Sequence, residues 1–377
     1  YPYVLLPVRA ALTRIDPSIE EASRSLGKKP WSTFRKVTLP QLIPSIIAGA
    51  LLVALYTLSD FGAVSLMQYE SFTWAIFVQY ESALNVSIAS FLSCILIVFA
   101  LLILLADSAV KSSGRYYRTN PGSQRNILKS RLGRWQLPAQ FFLIMLTGLA
   151  LFLPTSVLIY WLIRGIGVGE EGLFLWEAMG NSLYVAVLAT ILTVCVSIPI
   201  AALMVRYSNK ATELLGKITY LGFGLPGITV ALGFVFFSIR YTPPIYQTIA
   251  LLIVAYLVLH IAGALRPIRA SLLQANPRHE EAARSLGRTQ RQAFISITIP
   301  RLKAGIIASS ALVFLLTLKE LPATLILSPP GFNTLATSIW SSASEAFFAE
   351  AAASSLLLIV AASLPMGVLL LRERNTQ

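Results

Sequence analysis

The chain alternates long apolar runs with short polar ones, and the apolar runs have the length of membrane-crossing helices rather than of core helices. A helix needs roughly 20 apolar residues to cross a bilayer. Eight stretches meet that measure, at about 41–66, 83–106, 137–163, 179–204, 216–239, 245–265, 302–327 and 347–371. No strand-like alternation runs through them, and a helical bundle satisfies its own backbone in lipid. The pattern therefore predicts an all-α, polytopic membrane bundle.

The polar segments between the runs fall into two sets. Residues 1–40, 107–136, 205–217, 266–303 and the tail from Arg372 hold 27 of the Lys and Arg residues. The opposite set, 67–82, 164–178, 240–244 and 328–346, holds only Arg164 and Arg240. Positive residues collect on the cytoplasmic side, so the first set and the C-terminus are expected to be cytoplasmic. Composition agrees, with 56% hydrophobic and 12% charged residues, about half the charged share of a soluble domain. The net charge of +13 then reports topology and not nucleic-acid binding.

One polar octapeptide is written twice, as EEASRSLG over 20–27 and EEAARSLG over 280–287. The match extends without a gap from 7–40 to 267–300, where 15 of 34 positions are identical. Ile46-Ile47-Ala48 and Thr57-Leu58 recur as Ile306-Ile307-Ala308 and Thr317-Leu318. Both copies lie on the same side, which makes the repeats parallel and unlike the inverted repeats of several secondary transporters. The second copy has four apolar stretches before its octapeptide, and the first has almost nothing. The expectation is one repeat lacking about four spans at its front (1–125) and one complete repeat (126–377).

Each octapeptide sits in a helix with legible ends. Asp16-Pro17 and Asn276-Pro277 are start signals, the paired glutamates suit the first turns, and Gly27 and Gly287 suit a left-handed stop. Leu39-Pro40 and Ile299-Pro300 then open the next span. A short amphipathic helix between two spans can dock into a groove of a soluble partner or lie on lipid headgroups. Duplication favours docking, since two equivalent helices imply two equivalent partner surfaces.

Glu21-Ala22-Ser23 with Gly27 and Pro40, and Glu281-Ala282-Ala283 with Gly287 and Pro300, resemble the EAA signature of ABC-transporter inner-membrane permeases. The first copy departs by Ser23 for alanine. The resemblance implies the type I importer permease fold, with Glu20, Glu21, Ala22, Gly27, Glu280, Glu281, Ala282 and Gly287 coupling to two copies of an ATPase subunit. It also implies a periplasmic or extracellular solute-binding protein and a bacterial inner-membrane location, in contact with lipid. The fused layout, with LSDFGAVSL (58–66) and the segment 318–352, is most similar to ferric iron permeases. Thiamine permeases share that layout, and polyamine carriers or an ion-driven secondary transporter remain alternatives.

Two charges fall inside apolar runs at equivalent positions, Asp60 and Glu320. A charge at the bilayer centre costs about 2.5–3.5 kcal/mol on insertion scales. Such residues either line a pathway, where carboxylates would suit a hard cation, or fix helix packing. Pro226 and its neighbouring glycines predict a kink within 216–239, serving either a gate or a packing seam. Cys94 and Cys195 read as small hydrophobes in a packed interior, and with His260 and His279 far apart no metal site is expected. No phosphate-binding loop is present, for LLGKIT (214–219) lacks the earlier glycine. ATP hydrolysis is thus expected on a separate subunit, with no cofactor and no catalytic set on this chain.

Overall fold

The structure, a computed structural model, describes residues 2–13, 15–113, 133–170, 172–207, 209–276 and 278–374. Among these residues every regular element is helical. The chain opens with α1 (Pro2–Leu12), α2 (Pro17–Ser25) and α3 (Pro30–Thr33), and a π turn over Phe34–Thr38 leads into α4 (Leu39–Ser59). Then come α5 (Gly62–Leu66), α6 (Phe72–Glu81), α7 (Val86–Ser113), α8 (Gln136–Val168) and α9 (Trp176–Arg206). α10 (Lys210–Leu221), α11 (Gly227–Tyr241) and α12 (Ile249–Gln274) precede α13 (Arg278–Ser285) and α14 (Gln290–Ala293). A second π turn over Phe294–Thr298 joins α15 (Ile299–Arg301) to α16 (Lys303–Leu318), α17 (Pro322–Leu327), α18 (Leu335–Ser344) and α19 (Phe348–Arg374).

The helices gather into two compact units, Tyr1–Ser59 with Leu96–Leu153, and Asp60–Ile95 with Pro154–Gln377. In the first, α1 crosses α4 so closely that a Cβ on Gly49 would lie 2.8 Å from Val4 Cα and 2.9 Å from the Tyr3 carbonyl oxygen. In the second, α12 crosses α16 at the equivalent place, where Ser309 Oγ donates to the Ala264 carbonyl at 2.6 Å. One turn earlier Gly305 allows the same helices to touch. Small residues at the crossing let the backbones approach, the usual solution where lipid offers no hydrophobic drive between helices. Val194 and Ala201 of α9, Leu265, Ile268 and Leu272 of α12, and Leu302 fill the core beside this crossing.

By length and composition, five helical stretches among the described residues can cross a membrane: Pro30–Ser59, Val86–Ala106, Gly133–Val168, Trp176–Arg206 and Ile249–Gln274. Gln290–Arg301 with Lys303–Leu318 makes a sixth if the pair, bent by 69°, counts as one span. The expected runs 216–239, 41–66 and 302–327 are each broken rather than continuous. Instead of kinking at Pro226, the chain stops in a 3-10 turn over Gly222–Gly224 and restarts with Pro226 as the extended N-cap of α11. Proline cannot donate the backbone bond that a continuous helix requires there. The other two runs break at Asp60–Phe61 and at Lys319–Leu321. Both cysteines are exposed, contrary to a packed interior, because an apolar side chain on a span can face lipid as readily as protein.

Candidate functional site

The duplicated octapeptides fold into two modules of the same build. Asp16 Oδ1 accepts from Ser18 N at 3.0 Å and starts α2, and Asn276 Oδ1 accepts from Arg278 N at 3.0 Å before α13. Pro17 takes the first helical position, while Pro277 lies outside the described residues. Both helices stop alike. Leu26 N donates to the Ala22 carbonyl and Leu286 N to the Ala282 carbonyl, each at 3.2 Å. Gly27 and Gly287 then turn left-handed at φ +79° and +88°, and Lys28 N and Arg288 N reach back to Ser23 and Ala283.

The two glutamates of each pair do different work. The first points inward: Thr38 Oγ1 donates to Glu20 Oε1 at 2.5 Å, and Thr298 Oγ1 donates to Glu280 Oε1. Each threonine closes a π turn, so the bond pins the short helix to the element that opens the next span. A hydrogen bond to a charged acceptor contributes about 1.5–3 kcal/mol. The second glutamate of each pair, Glu21 and Glu281, is exposed, as are Ala22 and Ala282. Leu26 and Leu286 stand beside the turn glycines 80% and 85% exposed. Each module thus offers outward an acidic residue, a flat alanine and a protruding leucine, at matching positions.

Sequence reasoning missed Thr38 and Thr298, although both sit 18 residues after their glutamate in identical register. It also missed why Ser23 replaces alanine. Ser23 Oγ pairs with Thr33 Oγ1 at 3.1 Å in the buried seam between α2 and α3. The second module has Ala283 and Ala293 at those two places, both buried. A hydrogen-bonded pair in one copy is an apolar pair in the other, so neither leaves a buried hydroxyl unpaired.

Asp60 and Glu320 occupy equivalent helix breaks but have different neighbours. The Asp60 carbonyl accepts from Thr73 Oγ1 at 2.6 Å, which ties the break to the start of α6. The Glu320 carboxylate stands near the Ala323 backbone N–H at the head of α17. Its Oε1 has no hydrogen-bond partner among the described residues and lies against Gly227, where any Cβ would collide with it. Glu320 therefore lies between the heads of α17 and α11, with Oε1 buried against the latter. Past the breaks, Phe61, Trp74, Phe77 and Trp340 pack ring to ring with centroids 5.1–6.3 Å apart, and Trp340 Nε1 donates to Ser65 Oγ at 3.0 Å. No group of three or more His, Cys, Asp or Glu side chains arranged for a metal occurs among the described residues.

Comparison with known proteins gives a match to the binding-protein-dependent transport system inner membrane component family over residues 1–116 and 195–371. The Fe(3+)-transport system permease protein FbpB 2 of Haemophilus influenzae is 37% identical over 373 residues, 98% of this chain and 74% of that protein. The ferric transport system permease protein FbpB of Actinobacillus pleuropneumoniae is 25% identical over 356 residues, 86% of this chain. The chain spans 51% of that relative's length. A putative 2-aminoethylphosphonate transport system permease protein PhnV of Salmonella paratyphi A is 26% identical over 191 residues, 51% of this chain and 72% of its own.

Proposed function

Because the chain belongs to the binding-protein-dependent transport system inner membrane component family, we propose that it is the permease of an ATP-driven importer whose cargo is ferric iron. It is a multi-pass inner-membrane protein. The observation that carries the coupling reading is the pair of modules, each locked by a Thr–Glu bond from its π turn and each presenting the same exposed Glu, Ala and Leu. Two equivalent helices suit two copies of one ATPase subunit, docking at α2 and α13 through Glu21, Ala22, Gly27, Glu281, Ala282 and Gly287. ATP hydrolysis belongs to that partner. The Lys/Arg imbalance supports a cytoplasmic position for both modules, and the loops 67–82 and 328–346 are left for the solute-binding protein. The repeats 1–125 and 126–377 would then serve as the two halves of the pathway. The iron assignment rests on the two ferric relatives.

ATPase stimulation in proteoliposomes tests this reading. The full-length permease with its ATPase is offered its binding protein loaded with Fe(III), loaded with thiamine, or empty. Stimulation by the ferric form alone is expected. Stimulation by the thiamine form would keep the architecture and replace the cargo, and failure of any ATPase to assemble would remove the coupling reading.

Asp60 and Glu320 belong to the same proposal as pathway residues. The unpartnered Oε1 of Glu320 supports that role, while its close fit against Gly227 is the mark of a packing role. Glu320→Gln keeps the size of the side chain and removes the charge. Uptake is expected to fall about tenfold, corresponding to about 1.4 kcal/mol, with the protein still folded. Unchanged uptake in the Gln variant would leave Glu320 with a packing role alone.

A further inference from the structure

The second module is tied to the rest of its unit through one carboxylate oxygen. Glu280 Oε1 accepts from Thr298 in the π turn and also from Arg206 Nη2 at 2.8 Å. Arg206 is the last residue of α9, and the two side chains are only 18% and 20% exposed. A neighbouring contact strengthens the same corner, with Gln290 Nε2 at the head of α14 donating to Tyr207 Oη at 3.2 Å. Through Val194 and Ala201, α9 reaches the core shared with Leu265, Ile268 and Leu272 of α12 and with Leu302.

The pair is badly built for stability alone. Arg206 Nε is buried and has no partner among the described residues, so the guanidinium gives up solvation without using all its donors. Partly buried ion pairs of that kind gain little net stability and are better suited to fixing one arrangement over others. Charge-assisted bonds are also short and directional, which makes them stiff links between elements. The π turn beside α13 is a looser joint, since the π form is rare and found mostly as single bulges within α-helices. The Thr298 bond ties α13 to that turn, and a push on α13 can still be absorbed by bending of the turn itself unless a second link holds the helix to another element.

We propose that Arg206 is a positioning residue for energy coupling: it clamps Glu280 so that α13 and the C-terminal end of α9 move as one body. The inference rests on the reading of α13 as the helix that meets the ATPase. Displacement of α13 by the motor is then delivered to α9, and through its packing to α12, instead of being spent in the π turn.

The test uses the full-length permease with its ATPase and loaded binding protein in proteoliposomes, reading solute taken up per ATP hydrolysed. Arg206→Gln is expected to lower that ratio at least fivefold while the ATPase still copurifies, and Arg206→Lys to recover most of it. Thr298→Val, which removes the bond that pins α13 to the π turn and keeps the ion pair, is expected to lower it, but by less than Arg206→Gln does. Should the Gln variant fold poorly, a second variant replaces the lost link covalently. Arg206→Cys/Glu280→Cys, with Cys94 and Cys195 changed to serine, is bridged by a short thiol-cleavable bismaleimide. The ratio is expected to be high while bridged and to drop on cleavage in the same vesicles. A wild-type ratio in Arg206→Gln, or no change on cleavage, would overturn the proposal and leave the docking reading standing. Loss of the ATPase from Arg206→Gln would also overturn it, by making Arg206 part of the docking surface. Failure of the ATPase to bind the unmodified permease would instead sink the docking reading itself.

Discussion

Gly305→Leu is expected to leave little folded permease to extract from the membrane. A Cβ at that position would stand 2.5 Å from Ser271 Oγ, 2.7 Å from the Pro267 carbonyl oxygen and 2.9 Å from Ser271 Cβ. Ser271 Oγ can rotate away, but the Pro267 oxygen is backbone of α12 and can move only with its helix. Even alanine must push α16 outward, and the neighbouring contacts of Leu302 with Leu265 and Ile268 would open with it. Overpacking a fitted contact costs about 1–3 kcal/mol, and more where backbone has to give way. Leucine adds three more carbons, in a protein whose total stability is of the order of 5–15 kcal/mol. Gly263 on the same helix α12 supplies the control. A Cβ there would meet only the ends of Leu312 and Leu316, each at 3.6 Å, an ordinary contact. Gly263→Ala should be neutral or stabilise by up to about 1 kcal/mol, the usual helix advantage of alanine. Monodispersity and thermal unfolding in detergent separate the two. A Gly305→Leu protein as stable as its parent would mean that α12 and α16 do not cross where the structure has them. Gly49, whose Cβ would meet backbone atoms of Val4 and Tyr3, should behave like Gly305 and not like Gly263.

The sequence discloses the modules because their identities fall where the backbone makes local demands. Asp16, Pro17, Gly27 and Gly287 stand for a cap, a first turn and two left-handed stops, and each does that in the structure. The breaks at Asp60 and Glu320 are harder to see. Hydropathy registers side chains and not the continuity of backbone bonds, so α4 with α5 and α16 with α17 each read as one run. The charges were the available signal, and they mark the breaks themselves. The π turns have no compositional signature at all. Arg206 and Glu280 lie 74 residues apart, and no local pattern joins an arginine at the end of one span to a glutamate in a later loop. The exposed cysteines fail for a different reason. The rule that apolar residues face inward comes from water, and it has no force on a helix whose outer face meets lipid.

Valine at Gly27 and Gly287 together is expected to cut solute uptake about 100-fold, and asparagine at the same places by no more than about threefold. Nothing lies within 4 Å of a Cβ at either glycine, so space is not the obstacle. The obstacle is the backbone, at φ +79° and +88°, where an L-residue pays roughly 1–2 kcal/mol. A β-branched residue is the least tolerant there, and asparagine is the common substitute for glycine at such a helix end. If valine escapes to negative φ, the bond from Arg288 N to the Ala283 carbonyl at 3.1 Å breaks, and so does its counterpart from Lys28 N to Ser23. The chain beyond each turn is redirected, and Leu26 and Leu286 are no longer presented beside a fixed helix end. About 1.4 kcal/mol corresponds to tenfold. Two sites in separate modules should act independently, which gives the product of two tenfold losses. Uptake and ATPase stimulation by the loaded binding protein report the loss, and copurification of the ATPase shows whether docking fails with it. Wild-type uptake in the double valine variant would mean that the left-handed turns do not set how the helices meet the motor. A loss confined to Gly287→Val would mean that only the second module carries the stroke, and that the near-identity of the two octapeptides reflects duplication alone.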